Sequence, residues 1–318
     1  MDILDLKQAT DKGRASRGLV LIQRKPELRS RMHGDDFMLG DFYFEGHTVP
    51  FRIWEKDIYG IIEEYGPGIY AVETRGDEYR GKKQLTVNDV DLYAGDEITA
   101  HDFLGSIPRK KLIGDLAEVK QQLTDLGVSD TCWDLVNVAI THPLLEDRYL
   151  IEGAAVKHHD NVFGGLSNHT TKMLRILIAL FKNNPELRAS ADLLTFSVFM
   201  HDIGKVFEYR DLDVSEYWYA NHRVRGIEFL ADIRDEVLSR FDEAFYRQVQ
   251  AVIAGHHGEY GDRPTTVATT IVHYIDLLES QVTNLVSRQL ETTDGKIFHS
   301  DFGVLQGLPA IDAPDDPS

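Results

Sequence analysis

Apolar residues in the first third of the chain occur in short runs that alternate with polar ones, a pattern typical of half-buried β-strands. The runs are rich in β-branched and aromatic residues and are separated by Gly, Asp and Pro. They predict five strands, at Leu19–Ile22, Phe37–Phe44, Val49–Trp54, Gly68–Glu73 and Lys83–Val90. A short helix is expected over Trp54–Tyr65, between the third and fourth strands. Five short strands with such an insertion predict a small closed β-barrel.

From residue 109 onward the apolar residues recur at three- and four-residue spacing, which predicts helices. The first helix carries Leu112, Leu116 and Leu123. Later helices are expected over Thr131–Ile140, Leu166–Lys182, Ser190–Met200, Ala220–Leu230, Glu243–Ala254, Val267–Glu279 and Gln281–Gln289.

The two patterns together predict an α+β protein of two domains. A small β-barrel would occupy residues 1–108, and the OB-fold is the commonest barrel with this strand count and helix. An all-α domain would occupy residues 109–305. Residues 306–318 would form a disordered tail.

Charge is distributed unevenly between the two predicted domains. The net charge of the chain is −18, and −14 of it falls after Lys110. An acidic helical domain argues against broad, non-specific binding of nucleic acid there. The barrel region differs, because Lys12–Arg31 holds seven basic residues and one acidic residue, Glu27.

Cysteine content and apolar runs bear on where the protein works. The single cysteine, Cys132, excludes an internal disulfide and suits a reducing compartment. No apolar run approaches the roughly 20 residues that cross a bilayer, and the N-terminus lacks the layout of a secretory signal. We therefore expect a cytoplasmic protein without membrane contact. Cys132 lies at a predicted helix start and is not expected to act as a nucleophile.

Histidines and carboxylates form an ordered series in the helical half. The series is His158, His159, His169, His201, Asp202, His222, His256, His257 and Asp276. His201 and Asp202 end an apolar helix, and Asp276 lies among apolar residues, where a carboxylate needs a partner such as a metal ion. Taken singly, each residue could be a hydrogen-bonded core side chain or a helix cap. Their recurrence in one series favours a metal site.

The motifs in this series resemble those of a known family. His201-Asp202-Ile203-Gly204-Lys205 matches the HD-x-G-K signature of the HD superfamily of metal-dependent phosphohydrolases. Lys157-His158-His159 ahead of Gly164-Gly165-Leu166, and His256-His257-Gly258-Glu259, resemble segments of YhaM-type 3′–5′ exoribonucleases. That family places an OB-fold ahead of its HD domain. The chain departs from the family at Ser167-Asn168, where Leu-Glu is usual.

The resemblance implies a site for two divalent metal ions. His169, His201, Asp202 and Asp276 would hold one ion, and Asp202 would bridge it to a second. The second ion would be held by His222, His256 and His257. Because imidazole ligands predominate, Mn or Fe is favoured over Mg, with Co, Ni and Zn as alternatives.

Further residues are expected to act on the substrate. Asp202, Lys205, His158 and His159 would take part in catalysis. Lys205 would act as a fixed positive charge beside a phosphate oxygen, and His158 and His159 would line the entrance to the site or assist the leaving group. The residues predicted to contact substrate phosphates are Arg223, Arg225, Arg24, Lys25, Arg109 and Lys110.

These expectations predict a 3′–5′ exonuclease that hydrolyses single-stranded RNA, and DNA as a second substrate, by a two-metal mechanism. A phosphodiesterase of small nucleotides or cyclic dinucleotides is an alternative, because the same site suits either substrate. A non-catalytic nucleic-acid-binding module is a second alternative. The expected partner is single-stranded nucleic acid, with RNA favoured over DNA, and a homo-oligomer is compatible with the sequence.

Overall fold

The computed structural model describes residues 1–30, 36–44, 47–79, 81–154, 162–210, 212–258, 263–292 and 295–309 of the chain. The side chains of residues 47, 101 and 291 lie outside this description. The chain divides into two units, Met1–Ser106 and Ile107–Ser318.

The first unit is built on a six-stranded sheet. Its strands are β1 (Ala15–Ile22), β2 (Glu27–Arg29), β3 (Phe37–Phe44), β4 (His47–Ile53), β5 (Gly68–Tyr79) and β6 (Lys82–Leu92). They pair in the order β1-β5-β6-β4-β3-β2, and β1 also pairs with β3 through Leu21 and Tyr43. The pairing of β4 with β6 is parallel, and the others are antiparallel. Helices α1 (Leu6–Ala9) and α2 (Lys56–Tyr65) and a 3-10 turn (Ala100–Phe103) complete the unit.

Alternation along the strands directs one face of this sheet into an apolar core. On β5 the side chains of Tyr70, Val72 and Thr74 are buried, whereas Glu73 and Arg75 between and after them are exposed. The rings of Phe42 and Phe51 stack in the core with their centroids 4.2 Å apart. The alternation of side chains along each strand therefore determines which residues of the sheet face the solvent.

All five predicted strands are present, together with the helix between the third and fourth. Strand β5 runs to Tyr79 rather than ending at Glu73, because its polar end pairs with the beginning of β6 at Lys82. Strand β2 was not predicted, since its three residues are exposed and carry no apolar pattern. Helix α2 begins at Lys56, two residues later than predicted.

The second unit is mainly helical. Its helices are α3 (Arg109–Asp125), α4 (Asp130–Ile140), α5 (Gly165–Asn183), α6 (Ala191–Met200), α7 (Lys205–Glu208), α8 (His222–Asp232), α9 (Arg234–Leu238), α10 (Glu243–Gly255) and α11 (Val267–Glu291). Three 3-10 turns lie at Pro143–Leu145, Arg148–Leu150 and Pro185–Ser190. Two short hairpins pair β7 (Tyr209–Arg210) with β8 (Asp213–Val214) and β9 (Lys296–His299) with β10 (Gly303–Gln306).

The helical unit differs from the sequence prediction in several places, and the short helices α7 and α9 were not predicted. Helix α11 is continuous where two helices were predicted, because Ser280 at the expected break donates its hydroxyl hydrogen bond to the carbonyl oxygen of Leu277 within the helix. The two hairpins were not predicted. Gln306, the first residue of the expected disordered tail, belongs to strand β10. Residues 310–318, the greater part of the expected tail, lie outside the described residues. No helix among the described residues combines the length and the apolar character needed to cross a membrane.

Candidate metal centre

Helix α6 carries His201 and Asp202 into the interior of the helical unit. Residues 194–200 of this helix are almost fully buried, and His201 and Asp202 at its end are buried as well. A helix that is apolar on all sides packs inside a domain, and α6 contacts α4, α5, α10 and α11. Two polar side chains are thus held where water does not reach them, so each needs a partner.

Gly204 allows helix α8 to come close to this helix end. A Cβ at residue 204 would collide with the carbonyl oxygen of His222 and would lie 2.7 Å from the backbone nitrogen of Gly226. Both obstacles are backbone atoms, which cannot rotate away. The glycine of the HD-x-G-K segment therefore brings His222 beside Asp202.

The two oxygens of the Asp202 carboxylate face different pairs of histidines. Oδ2 lies 3.1 Å from Nε2 of His201 and 3.8 Å from Nε2 of His169. Oδ1 lies 3.6 Å from Nε2 of His222 and 3.5 Å from Nε2 of His256. The carboxylate therefore presents one oxygen to each pair of histidines.

Asp276 and His257 add to the two pairs. Oδ1 of Asp276, on α11, lies 3.3 Å from Nε2 of His169. Nε2 of His257 lies 3.0 Å from Nε2 of His222. Two groups have ligand-type atoms within 4.8 Å of one another: Asp202, His222, His256 and His257, and His169, His201 and Asp202. All seven residues predicted as metal ligands are therefore close together.

Carboxylates orient two of the histidine rings. Nδ1 of His169 lies 2.6 Å from Oε2 of Glu279, and Nδ1 of His222 lies 2.6 Å from Oε2 of Glu208. An ionised carboxylate only accepts hydrogen bonds, so Nδ1 is the donor in each pair. Both rings are held with Nε2 toward Asp202, as in metal sites whose histidine ligands are hydrogen-bonded through the other nitrogen.

Backbone carbonyls orient two further rings in the same way. Nδ1 of His201 donates to the carbonyl oxygen of Val198 at 2.7 Å, and Nδ1 of His256 donates to that of Ile253 at 3.0 Å. In each case the acceptor lies three residues earlier, in the last turn of the helix that carries the histidine. Four of the five histidine ligand candidates therefore direct Nε2 to the centre.

Several of these central atoms lack a hydrogen bond. Nε2 of His201, Nε2 of His256 and Oδ1 of Asp202 are buried and have no hydrogen-bonding partner among the described residues. The two nitrogens lie 3.1 Å and 3.5 Å from oxygens of Asp202, but not in hydrogen-bonding geometry. An unsatisfied buried polar atom costs about 1–3 kcal/mol, and a cation would satisfy all three together. The residues present therefore fit a metal site.

The carboxylates of α11 change the protonation of His169. Burial lowers the pKa of His169, but the contacts with Asp276 and Glu279 outweigh burial and raise the pKa to about 10. Burial raises the pKa of Glu279, yet its contact with His169 lowers that pKa to about 2. Without a metal ion His169 is a cation at neutral pH, so a metal ion bound at Nε2 would displace its proton.

Burial lowers the pKa of two histidines on the other side of the centre. Burial, together with the neighbouring His256, lowers the pKa of His257 to about 3. Burial also lowers the pKa of His256. Both imidazoles are therefore uncharged at neutral pH, which is the form that binds a metal ion.

Lys205 places a positive charge at the centre. Its Nζ lies 2.6 Å from Oδ2 of Asp202. Burial lowers the pKa of Lys205, but the negative charge of Asp202 outweighs burial and keeps that pKa above its ordinary value. The pKa of Asp202 is held well below its ordinary value against burial, chiefly by Lys205 and His201. Both groups of the pair are therefore ionised.

Comparison with protein families identifies the part of the chain that carries this centre. The HD domain family matches residues 166–281, a range that contains all seven predicted ligands. The chain contains an HD domain. It is also 28% identical over 232 residues to the 3′-5′ exoribonuclease YhaM of Geobacillus sp. (strain WCH70), over 69% of this chain and 68% of that relative.

A second relative gives the same result. The chain is 28% identical over 240 residues to the 3′-5′ exoribonuclease YhaM of Listeria monocytogenes serotype 4b (strain CLIP80459), over 71% of this chain and 72% of that protein. No solved structure matches the chain. The predicted resemblance to HD phosphohydrolases of the YhaM type is confirmed.

The predicted phosphate-binding residues lie in different settings. Arg223 donates to the carbonyl oxygen of Ala254 at 3.1 Å and so ties α8 to the end of α10. Arg225 pairs with Glu228 and lies over the ring of Phe207. Both arginines thus have structural contacts within the HD domain, which the sequence did not reveal.

The remaining predicted residues lie in the first unit, at the start of α3, or outside the described residues. Arg24 and Lys25 belong to the first unit, in the connection between β1 and β2. Arg109 and Lys110 begin α3 and are exposed. His158 and His159 lie outside the described residues. Cys132 is buried, and burial raises the pKa of its thiol well above the ordinary value, so the thiol stays protonated.

Three residues of the HD domain were missed by the sequence analysis. Glu279 lies three residues after Asp276 on α11, and this helical spacing is a signal that could have identified it. Glu208 has no such signal, because only tertiary structure brings it to His222. Burial raises the pKa of Tyr209 to about 12 although the charge of Lys205 opposes it, so the hydroxyl of Tyr209 stays neutral.

We predict that Gly204→Ala removes metal binding. The added methyl group would push the backbone of His222 away and separate that residue from Asp202. Metal content after dialysis against Mn²⁺, measured by mass spectrometry, should fall well below that of the wild type. Gly114→Ala is the matched control, because a Cβ on that residue of α3 meets no atom within 4 Å. The control should keep its metal and gain up to about 1 kcal/mol of stability. Equal metal content in the two variants would contradict the account of Gly204.

A second prediction concerns Glu279. Glu279→Gln should weaken Mn²⁺ binding about 10- to 100-fold, because the neutral amide no longer fixes the proton on Nδ1 of His169. Isothermal titration of the metal-free protein with Mn²⁺ measures the affinity. The control Glu236→Gln changes an exposed carboxylate of α9 and should leave the affinity unchanged. An unaltered affinity in the Glu279 variant would show that this carboxylate does not orient the ligand.

Proposed function

We propose that the protein is a metal-dependent 3′–5′ exonuclease that hydrolyses single-stranded RNA. The observation that carries the proposal is the buried Asp202 carboxylate, whose oxygens face separate histidine groups. The similarity to proteins named 3′-5′ exoribonuclease YhaM supports the direction of attack and the substrate. DNA is proposed as a second substrate.

The proposed cofactors are two divalent ions. His169, His201, Asp202 and Asp276 would hold one, and Asp202, His222, His256 and His257 would hold the other. Mn or Fe suits this imidazole-rich set better than Mg, and Co, Ni and Zn are alternatives. When bound, such a pair of ions supplies an activated water for attack on phosphorus and neutralises charge on the phosphate oxygens.

The protein's own groups would bind and orient the substrate. Lys205, ionised and next to Asp202, is proposed to attract a non-bridging phosphate oxygen. Glu279 and Glu208 keep the protons of His169 and His222 on Nδ1, away from the reacting phosphate. His158 and His159 are proposed to line the entrance, and Arg223 and Arg225 to contact more distant phosphates.

The first unit is proposed to be an OB-fold that binds the nucleic acid. Support comes from the pairing of β1 with both β3 and β5, the parallel pairing of β4 with β6, and the position of α2 between β4 and β5. The guanidinium of Arg52 lies 4.1 Å from the ring centre of the half-exposed Tyr79, and Phe37 and Trp54 have ring centres 5.0 Å apart. Aromatic rings beside a cation suit stacking with single-stranded bases.

The basic segment of this unit is partly neutralised. Arg14, Arg17 and Arg29 each pair with a carboxylate of the same unit. Arg24 and Lys25 are the pair proposed to contact the backbone phosphates, with Arg109 and Lys110 at the start of α3 as a further pair. The −14 charge of the later part of the chain instead favours a small substrate, so hydrolysis of small nucleotides or cyclic dinucleotides is the second candidate.

Asp202→Asn tests the proposed activity. With Mn²⁺ and a 5′-labelled single-stranded RNA, the wild type should give a ladder of products that shorten from the 3′ end. The variant should lose at least about 1,000-fold in rate, because the amide cannot act as an anionic bridge between two cations. The control Asp235→Asn, on α9, should match the wild type. A wild type that leaves the RNA intact, or an equally active Asp202 variant, would refute the proposal.

Replacement of both Arg24 and Lys25 by alanine separates the two candidate functions. If long single strands are the substrate, loss of two phosphate contacts should raise KM for a 30-nucleotide RNA about tenfold at 0.1 M salt and weaken its salt dependence. Hydrolysis of a cyclic dinucleotide should not change in this variant. A KM for RNA equal to that of the wild type, with efficient hydrolysis of the dinucleotide by both proteins, would favour the small-substrate enzyme.

A further inference from the structure

Three consecutive aromatic side chains are exposed just before the ligand candidate His222. Tyr217, Trp218 and Tyr219 lie in the connection between β8 and α8, and their exposed fractions are 57%, 56% and 70%. Aromatic rings carry a large apolar area. A group of adjacent exposed rings therefore more often marks a binding surface than a surface without function. The proposed mechanism does not yet use these rings.

We call the segment from Ser215 to Ala220, which carries the three rings, the aromatic turn. Its first end is fixed by hydrogen bonds. The backbone nitrogen of Ser215 donates to the carbonyl oxygen of Glu208 at 2.8 Å, and its hydroxyl donates to that of Phe207 at 2.9 Å. Within the turn, Trp218 donates to Ser215, and Ala220 donates to Tyr217. The rings therefore project from a folded segment whose backbone is already ordered.

The other end of the turn is fixed to the same residue. The carboxylate of Glu208 accepts from the backbone nitrogen of His222 at 2.6 Å and from its ring at 2.6 Å. Glu208 thus holds Ser215 with its backbone and His222 with its side chain. The orientation of the ligand candidate His222 and the position of the aromatic turn therefore both depend on Glu208.

Chain length limits how far the rings lie from the metal centre. Tyr219 and His222 are three positions apart in the chain, so their Cα atoms are at most about 11 Å apart. Stacked nucleotides of one strand advance about 3.4 Å each. The bases next to a phosphate bound beside His222 are therefore within reach of the rings.

The arrangement of the rings suits bases. The rings of Tyr217 and Tyr219 are nearly perpendicular, at 83°, with centres 6.3 Å apart, so the edge of one ring meets at most one face of the other. Stacking on an aromatic face is open to every base and does not depend on sequence. A base-paired end, whose bases are covered by their neighbours, would stack less readily.

We propose that Tyr217, Trp218 and Tyr219 form a stacking platform for the unpaired bases at the 3′ end of the substrate. This inference rests on the proposed nuclease function and adds to it the means by which the enzyme holds a single-stranded end. The platform binds the last nucleotides through their bases, whereas the metal centre and Lys205 bind the phosphate.

Steady-state kinetics on a single-stranded RNA with Mn²⁺ test the platform. Trp218→Ala and Tyr219→Ala should each raise KM about tenfold with a smaller change in kcat, because stacking on a ring contributes about that much per base. Trp218→Phe should restore most of the loss. Phe302→Ala is the matched control, since Phe302 is a still more exposed aromatic in the hairpin after α11, and the KM of this variant should equal that of the wild type.

A substrate without terminal bases distinguishes stacking from other causes. The wild type should bind an RNA with three abasic 3′ nucleotides about as weakly as a variant with alanine at all three ring positions binds the normal RNA, and this triple variant should lose nothing further on the abasic strand. An unchanged KM in Trp218→Ala, or a loss on the abasic strand in the triple variant as large as that of the wild type, overturns the platform while the nuclease function stands. A wild type that degrades no RNA overturns both. A changed molar mass of Trp218→Ala in light scattering would assign the rings to contact between copies and overturn the platform.

Discussion

The burial of one carboxylate, that of Asp202, is the constraint on which the rest of the HD domain depends. A buried anion is tolerated only if cations or donors surround it, and Asp202 is surrounded by Lys205 and by Nε2 atoms from four histidines. The apolar helix α6 carries it inward, and α5, α8, α10 and α11 converge on it with their ligand candidates. Gly204 permits the closest of these approaches, that of α8. The burial of Asp202 therefore accounts both for how the helices of the domain pack and for where the ligand candidates meet.

The histidine rings are oriented by two kinds of partner. For His201 and His256 the acceptor is a carbonyl oxygen in the preceding helical turn, so their orientation follows from ending a helix at the ligand. For His169 and His222 the acceptor is a carboxylate, from Glu279 or Glu208, which adds negative charge next to the centre. That charge raises the pKa of His169 and would strengthen its bond to a cation. Glu208 also holds the aromatic turn before α8, which links the metal centre to the proposed binding of bases.

The sequence predicted those features that a short stretch of residues encodes by itself, and it did not predict features that arise from contacts between distant residues. The ligand series was predictable because each member carries its own chemical signature and lies on an apolar helix, and the strands were predictable from alternation. Strand β2 was not, because three exposed residues show no pattern, and Ser280 looked like a helix break although its hydroxyl is satisfied inside α11. Glu208 and the contact of Arg223 with Ala254 arise only from tertiary packing. Sequence spacing therefore identified the ligand candidates, and the structure was needed to find the groups that orient them.

The proposed function requires Asp202 to bridge two metal ions. Anomalous diffraction from crystals of the Mn²⁺-loaded protein tests it most directly, because each bound ion gives its own peak. The account predicts two peaks about 3.5–4 Å apart, one beside each oxygen of Asp202, with His169 and His201 at the first and His222, His256 and His257 at the second. A single peak, or two peaks of which only one contacts Asp202, would contradict it.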